Sequence, residues 1–395
     1  MTTSVIIDGA RTPMGRLLGV LKTLTAVDLG AAAISGALAK SGIEPAQVQY
    51  VVMGQVLQAG SGQIPARQAA YKAGIPFTVP ALTVNKVCLS GLSAIALADQ
   101  LVRAGEFDTI VAGGMESMTN APHLLPEARK GYRYGSVEVL DAMALDGLTD
   151  PFERVSMGHS TDRFTAAAGI SREDQDRFAV RSHLSAARAQ KDGRLAEEIV
   201  PVFVERRGSD ALEINEDEGI RPDASQEALA RLSPAFMEAG AITAGTSSPI
   251  SDGAAAVVVM DKSKASALGL SWIAEIGAHG NVAGPDNSLL PQPSNAIANA
   301  LSKTELAVSD LQLIEINEAF ASVAIHSMRS LGVSVDVVNV NGGAIALGHP
   351  IGMSGTRLVL TLARELQRRG GGLGAAALCG GGGQGEALVL DVPGR

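Results

Sequence analysis

"TVNKVCLSGLSAIALADQLVRAGEFDTIVAGGMES", residues 83–117, has a counterpart near the other end of the chain: "VVNVNGGAIALGHPIGMSGTRLVLTLARELQRRGGGLGAAALCGGGGQG", residues 337–385. Each stretch begins with a short β-branched run that reaches an Asn, passes through small residues into a helical pattern, and ends in an apolar run before glycines. We interpret the pair as a faint internal repeat, with similar loops of two halves facing each other across a pseudo-twofold axis. The alternative is that the stretches look alike only because all β-α-β units do.

The rest of the chain alternates short apolar runs with longer helical patterns, which is typical of an α/β protein with largely buried sheets. We predict strands around Val5, Val51, Ile110, Val257, Ile314 and Leu378. We predict helices over residues 24–41, 90–103, 172–191, 318–331 and 354–369. The segment 121–245 is more polar and carries the charged run "EINEDEGIRPD", so we interpret it as an insertion laid over the α/β body.

Composition limits the functional classes. The 395 residues are enough for two or three domains with a large core. The 41 acidic and 32 basic side chains give a formal charge of −9, which argues against a general nucleic-acid binder. Two cysteines make no disulfide framework and favour a reducing compartment. The start "MTTSVIIDGARTP" does not read as a signal peptide, and no apolar run reaches the roughly 20 residues of a membrane span. We therefore expect a soluble, cytoplasmic protein with no nucleic-acid or membrane partner.

Cys88 follows a β-branched run and precedes a helical pattern, so its thiol is expected at a helix N-terminus. The unpaired amides and the helix dipole there favour a thiolate, which would make Cys88 a nucleophile. The alternative is a small buried hydrophobic residue, which free cysteines usually are.

Three more polar positions stand beside glycines or apolar runs. His349 lies in a glycine-rich loop, where Pro350 restricts its backbone; it could polarise a thiol or a carbonyl, or merely bind a loop carbonyl. Cys379 precedes four glycines whose amides could bind an anion. Asn317 could cap a helix or reach into a site. Nucleotide-binding glycine motifs and zinc-ligand spacings are absent from the sequence, so we predict no metal.

Four blocks occur in the order "NKVCLSG", "NEAFA", "NGGAIALGHPIGMSG" and "CGGGGQG", together with "DGARTPMGR", "VAGGMESMT" and "SDGAAAVVVM". Over essentially the whole chain they resemble the thiolase family, its acetyl-CoA acetyltransferases in particular. The resemblance implies the thiolase fold: two similar βαβαβαββ halves in five α-β-α-β-α layers, with an inserted loop domain. It implies an N-terminal half at 1–120 completed by 246–270, a loop domain at 121–245 for CoA binding and tetramer contacts, and a C-terminal half at 271–395.

The resemblance also implies roles for individual residues. Cys88 would take the acetyl group from acetyl-CoA as a thioester. His349 would activate that thiol and later bind the thioester oxygen of the second acyl-CoA. Cys379 would act as acid and base on the methyl group of the second substrate. Asn317 would hold a water that joins His349 in one oxyanion hole, and the amides of Cys88 and Gly381 would form a second hole.

For CoA, the resemblance points to Arg221 near the adenine end and to five residues along the pantetheine tunnel: Phe236, Ala244, Ser248, Ala319 and Phe320. Without the resemblance, Arg221 would be interpreted as a surface ion pair. Ser156 stands where many relatives carry a histidine. Leu289, in "LLPQP", would replace a methionine of the acyl pocket. The segment 121–141 resembles a tetramer-forming loop and would otherwise be merely exposed.

The expected reaction is the reversible Claisen condensation of two acetyl-CoA to acetoacetyl-CoA plus CoA by a homotetramer, a dimer of dimers, without a cofactor. One alternative is a degradative 3-ketoacyl-CoA thiolase acting on longer chains. From another class, the chain could be a non-catalytic acyl-CoA or lipid carrier, although it keeps both cysteines and the histidine. A thiol-dependent hydrolase would differ by transferring the acyl group to water.

Overall fold

The computed structural model describes residues 3–206 and 208–394. Its strands are β1 (Ser4–Arg11), β2 (Gly15–Arg16), β3 (Tyr50–Gly54), β4 (Ala81–Val84), β5 (Thr109–Ser117), β6 (His123–Leu124), β7 (Leu140–Asp141), β8 (Val202–Arg206), β9 (Ser209–Ile214), β10 (Ser251–Asp261), β11 (Ala274–Ala283), β12 (Leu313–Ile316), β13 (Gly372–Gly380) and β14 (Gln384–Val392).

Its α-helices are α1 (Ala26–Ser41), α2 (Pro65–Lys72), α3 (Ser90–Arg103), α4 (Met157–Ala167), α5 (Arg172–Lys191), α6 (Gln226–Ala230), α7 (Lys262–Ala267), α8 (Gln292–Leu301), α9 (Ala321–Leu331), α10 (Ala344–Leu347) and α11 (Ser354–Arg368). Short 3-10 turns lie at Pro45–Gln47, Ala128–Lys130, Val308–Asp310 and Val335–Val337, and a π-helical segment lies at Met143–Leu148.

The helix boundaries follow from local capping and from tertiary pairing. The predictions for α3 and α5 are confirmed residue by residue. Helix α1 begins two residues later than predicted, because the Thr25 hydroxyl accepts from the Asp28 amide, 3.2 Å away, and caps the helix. The predicted helix 318–331 begins only at Ala321, so that prediction was wrong at its start. Its first residues instead run alongside the segment before β10, and the Ala321 amide donates to the Thr246 carbonyl, 2.8 Å away.

The largest sheet has the strand order β12-β13-β14-β11-β1-β10-β5-β3-β4, with β2 paired to β10. The first half contributes β1-β10-β5-β3-β4 and the second contributes β11-β14-β13-β12. In each half the first two pairings are antiparallel and the next is parallel. The halves meet where Val5 pairs with Glu275 and Ile6 with Ala274. The shared order and orientation support the internal repeat over a chance likeness of β-α-β units.

One strand of the repeat differs from the prediction. The internal repeat implies that "VVNVN" forms a strand like β4, but Val338 makes only an isolated parallel bridge to Ile314 of β12. The segment then turns at Asn339, whose backbone is left-handed with φ 46°. The third strand of the second half is therefore reduced to a single bridge in the position that β4 occupies in the first half.

Five layers result from the way the helices cover the strands. Helices α1 and α2 pack on the outer face of the first half, α8 and α9 pack on the outer face of the second, and α3 and α11 lie between them. Gly91 and Gly355 allow the central helices to approach closely, because a Cβ on Gly355 would lie 2.4 Å from the Leu92 nitrogen. The predicted fold class, a five-layer thiolase-type α/β fold, is confirmed.

The polar segment is held to the body by a buried arginine. Arg11 of β1 contacts the Asp217 carboxylate at 2.7 Å and the Glu198 carboxylate at 2.8 Å. The two carboxylates offset the cost of removing the guanidinium from water, which a lone buried charge would carry uncompensated. The predicted domain boundaries stay a prediction. Within residues 3–206 and 208–394, no helix has the length and apolar character needed to span a membrane.

Candidate functional site

Cys88 lies in the short connection between β4 and α3. Strand β4 ends at Val84 and α3 begins at Ser90, so the thiol stands just before a helix N-terminus, as the sequence predicts. Val87 has φ 50°, a left-handed conformation that is strained for a β-branched residue and is concentrated at functional sites. The Ser90 hydroxyl fixes this turn, accepting from the Lys86 amide (2.8 Å) and donating to the Val87 carbonyl (2.6 Å).

Cys379 ends its strand beside the Cys88 connection. It is the penultimate residue of β13, and its relative exposure is 1%. A Cβ on the next residue, Gly380, would lie 2.6 Å from Leu89 Cγ, so the end of β13 touches the residue that follows Cys88. The Gly381 amide interacts with the Cys88 thiol. The fold therefore brings two cysteine loops from opposite ends of the sequence together.

Both thiols are neutral in the resting protein. Burial raises the pKa of Cys88 to about 12; the amides of Cys88 and Gly381 oppose this shift and the Glu116 carboxylate adds to it. Burial also raises the pKa of Cys379 well above its usual range, and the nearby Cys88 raises it further. The expectation that amides and the helix dipole favour a thiolate at Cys88 was wrong, because desolvation outweighs them. A thiolate therefore forms only when a nearby group takes the proton.

His349 is a buried imidazole in the glycine-rich loop after α10. Its Nδ1 lies 2.6 Å from the Ser354 hydroxyl, which also donates to the Pro350 carbonyl at 2.9 Å. A hydroxyl has one hydrogen, so Ser354 must accept from Nδ1–H, and the lone pair is on Nε2, to which the Asn317 amide donates at 3.3 Å. Burial, followed by the Arg357 charge, lowers the His349 pKa to about 3. The imidazole is thus a neutral base at physiological pH and not merely a ligand of a loop carbonyl.

Asn317 reaches the same imidazole. Its Nδ2 lies 3.3 Å from His349 Nε2, and its side chain is fully buried. The alternative role of helix cap was wrong, because α9 begins at Ala321 with Phe320 as the cap. Among the described residues, Asn317 Oδ1 is a buried oxygen without a hydrogen-bond partner. A buried acceptor of this kind is suited to hold a water molecule.

Buried carboxylates that the sequence reasoning did not single out fix these loops. Glu116 of β5 accepts from the Gly352 amide at 3.0 Å, and also from the Val56 and Leu57 amides. Burial raises its pKa to about 7. Glu318 accepts from the Ile345 amide at 3.1 Å and so holds the start of the same glycine-rich loop. An acidic residue beside an apolar strand was the available signal, in "GGMES" and "INEA".

The predicted CoA residues fall into a cavity pair and two further contact pairs. Arg221 and Ala244 line a cavity of about 150 Å³. Ser248 donates through its amide to the Ala319 carbonyl at 3.0 Å, and the rings of Phe236 and Phe320 meet edge-on with centroids 5.8 Å apart.

The structure also shows the partners of Arg221 and the surroundings of Leu289. Within residues 3–206 and 208–394, Arg221 makes no salt bridge, so the surface ion pair expected without the resemblance is not formed. Leu289 is buried in the same apolar cluster as Cys379, Ala319 and Phe320. Over the described part of the chain, no group of three or more His, Cys, Asp or Glu is arranged to hold a metal ion.

His349 should make stability depend on pH. Its pKa is about 3 when folded and about 6.5 when unfolded, so the unfolded chain binds the extra proton between these values. Stability is therefore lost as the pH falls below about 6.5. We expect the melting temperature of the wild type to drop more between pH 7 and pH 5 than that of His349→Asn. Because burial raises the pKa of Glu116, this residue stabilises the fold as the pH falls. It does so in the wild type and in the variant alike, so it does not affect the difference between their melting temperatures. Equal drops would contradict a neutral, buried imidazole.

The chain is similar to known proteins over nearly its full length. Residues 4–263 match the model "Thiolase, N-terminal domain" and residues 270–392 match "Thiolase, C-terminal domain". A probable acetyl-CoA acetyltransferase of Mycobacterium leprae (strain TN) is 59% identical over 390 residues, which cover 99% of each chain. The acetyl-CoA acetyltransferase of Cupriavidus necator is 48% identical over 392 residues, covering 99% of this chain and all of the relative. That of Pseudomonas aeruginosa is 46% identical over 391 residues and 99% of each chain.

Proposed function

The chain belongs to the thiolase family, and on that premise we propose that it catalyses the reversible Claisen condensation of two acetyl-CoA molecules. The products are acetoacetyl-CoA and CoA, and the intermediate is an acetyl group on Cys88. The observation that carries the proposal is the meeting of the two cysteine loops, together with a neutral imidazole that has its lone pair on Nε2. The full-length similarity to acetyl-CoA acetyltransferases supports the choice of substrate.

In the first step, His349 Nε2 takes the Cys88 proton as the sulfur attacks the thioester carbonyl. The amides of Cys88 and Gly381, which already interact with the thiol, would stabilise the oxyanion that forms beside it. CoA leaves as a thiolate and takes the proton of Cys379. The enzyme then holds an acetyl thioester, an imidazolium and a Cys379 thiolate. The neutral resting thiols fit this sequence, because each loses its proton only when a partner is in place.

In the second step, the Cys379 thiolate removes a proton from the methyl group of the second acetyl-CoA. The enolate oxygen faces the His349 imidazolium and a water held by Asn317. The carbon then attacks the acetyl carbonyl on Cys88, and the departing sulfur recovers its proton from the imidazolium. After the two steps Cys88, Cys379 and His349 have regained their starting protonation states. The substrates supply every transferred group, so the proposed reaction uses no cofactor.

One end of CoA would bind at the cavity that Arg221 lines. We expect Arg221→Ala to raise the KM for acetyl-CoA about tenfold with little change in kcat, because a guanidinium without a carboxylate partner is free to bind an anionic substrate. Steady-state kinetics measure this change. Arg231→Ala is the matched control, since Arg231 is also exposed but does not line the cavity. A fall in kcat at unchanged KM would remove Arg221 from CoA binding.

We also infer a homotetramer formed as a dimer of dimers. Strand β4 lies at the edge of the large sheet, and exposed apolar side chains surround it: Ile64, Tyr71, Phe77 and Leu82. The segment 121–141 exposes Tyr132 and Tyr134. Exposed apolar patches of this kind mark interaction sites. Light scattering would measure the mass of the assembly in solution.

A cytoplasmic location is also part of the proposal. It is supported by two cysteines that are free and buried.

A product assay tests the proposed function. Purified protein is mixed with acetyl-CoA, and CoA, acetoacetyl-CoA and acetate are each quantified. The proposal requires one acetoacetyl-CoA for every CoA released, and thiolysis when the products are supplied. Release of acetate with CoA would instead indicate a hydrolase. Tight binding of acetyl-CoA without either product would indicate a carrier.

A larger cavity favours one second candidate, the degradative thiolase of broader chain length. A space of about 700 Å³ borders Val87 and Gly381 and is walled partly by Leu145, Phe152 and Met157. An acyl chain on Cys88 could extend into it. Thiolysis rates with C4, C6 and C8 3-ketoacyl-CoAs decide between the candidates. Faster turnover of the longer substrates would reject the short-chain assignment, particularly if Leu145→Trp slows only those substrates.

A further inference from the structure

A buried carboxylate outside the proposed catalytic groups joins the two halves. Glu386 lies on β14, and its relative exposure is 1%. Its Oε2 accepts from the Ser93 hydroxyl at 2.5 Å and lies 3.5 Å from Lys86 Nζ, while its Oε1 lies 2.7 Å from His279 Nε2. Ser93 and Lys86 belong to the first half of the chain, whereas Glu386 and His279 belong to the second. One side chain therefore links both halves across the central layer.

Two of the residues that contact Glu386 flank Cys88 along the chain. Lys86 precedes Cys88 by two residues, and Ser93 lies in the first turn of α3. Glu386 itself follows Gly385, which is paired with Cys379 in the β13–β14 register. The same carboxylate is thus tied to the loop and helix of one cysteine and to the strand pair of the other.

The Lys86 ammonium that contacts Glu386 has a second partner. Lys86 Nζ also donates to Asn281 Oδ1 at 3.0 Å, and Asn281 stands opposite Glu386 in the β11–β14 register. A buried carboxylate keeps its place only while its donors remain, because each lost partner leaves desolvated charge uncompensated. The loop of Cys88 therefore cannot shift relative to β14 without breaking several charge-assisted contacts.

We propose that Glu386, with Lys86 and Ser93, is a positioning group that sets the placement of the Cys88 sulfur relative to the Cys379 sulfur. For its effect on turnover, this rests on the proposed condensation. Acetylation of Cys88 depends mainly on His349, whereas carbon–carbon bond formation requires both sulfurs around one substrate. Loosening the link should therefore impair the second half-reaction more than the first, since small misplacements of reacting groups cost up to about a hundredfold in rate.

Three variants test the proposal: Glu386→Gln, Ser93→Ala and Lys86→Met. The control is Glu275→Gln on β11, which removes the carboxylate of an ion pair with Lys262 at 2.6 Å; Glu275 pairs with Asp391, six residues along β14 from Gly385, the partner of Cys379. Acetylation of Cys88 is followed by mass spectrometry, and condensation by acetoacetyl-CoA formation. We expect acetylation to stay within about threefold and the condensation kcat to fall about tenfold or more, with KM unchanged. The control should change neither rate.

A readout that needs no CoA separates this proposal from the proposed function. Dibromobimane becomes fluorescent when it bridges two thiols, and the chain has only Cys88 and Cys379. We expect bridging to slow in the three variants, and a melting temperature confirms that each is folded. Folded variants that bridge and condense at wild-type rates would overturn the proposal. If the wild type makes no acetoacetyl-CoA, the proposed function fails, and the bridging rates alone decide on positioning.

Discussion

Cys88→Ser is expected to lower the condensation rate by more than about a thousandfold and to abolish acetyl labelling of the protein. A serine hydroxyl is a far weaker nucleophile than a thiol, and a neutral imidazole ionises it far less readily. The test is the intact mass after brief mixing with acetyl-CoA, followed by mapping of the modified peptide. Wild-type protein should gain one acetyl group on the peptide that contains Cys88.

The matched control is the same chemical change at the second cysteine, because both thiols are buried. Acetyl label that persists in Cys88→Ser and maps to Cys379 would reverse the two roles. Label on neither cysteine in a wild type that makes acetoacetyl-CoA would exclude the covalent intermediate.

Cys379→Ser is expected to keep the acetyl label on Cys88 while condensation falls about a hundredfold to ten-thousandfold. CoA is a good leaving group as a thiolate, so acetylation proceeds without the Cys379 proton. The second step cannot proceed without Cys379 in this way. The proton alpha to the thioester is only weakly acidic, so its removal requires a base beside the methyl group. A serine hydroxyl cannot provide that base near neutral pH.

Exchange of the acetyl-CoA methyl protons with deuterated water isolates this step. Wild-type protein should incorporate deuterium, whereas Cys379→Ser should not, even though it is acetylated. Normal exchange and normal condensation in the variant would mean that another group removes the proton. Loss of acetylation as well would place Cys379 in the first step as an essential acid.

Local sequence signals predicted much of the fold. Helices α3 and α5 were placed correctly because a helical pattern and, for α5, a capping serine at 171 mark their limits. Strands β11 and β14 were not predicted. "AEIGAHGNVA" has glycines and an asparagine that disfavour a strand by themselves, and it is extended because it pairs with β1 and β14. Tertiary pairing, which no local pattern reports, also kept residues 318–320 out of α9.

The candidate site was located from its motifs, but its protonation was not. The position of Cys88 before a helix suggested a thiolate, and only the burial of the thiol shows that the resting form is neutral. The tautomer of His349 depends on the Ser354 hydroxyl and on where its one hydrogen goes. Such facts belong to packing and to hydrogen-bond geometry in three dimensions, so the sequence cannot give them.

Bridging of the wild-type thiols by dibromobimane tests most directly whether both cysteines serve one active site. After digestion, mass spectrometry should find the peptide of Cys88 joined to the peptide of Cys379 through one bimane, and prior acetylation by acetyl-CoA should prevent the bridge. Two separately modified cysteines without a cross-linked peptide would place the sulfurs apart and contradict the shared site.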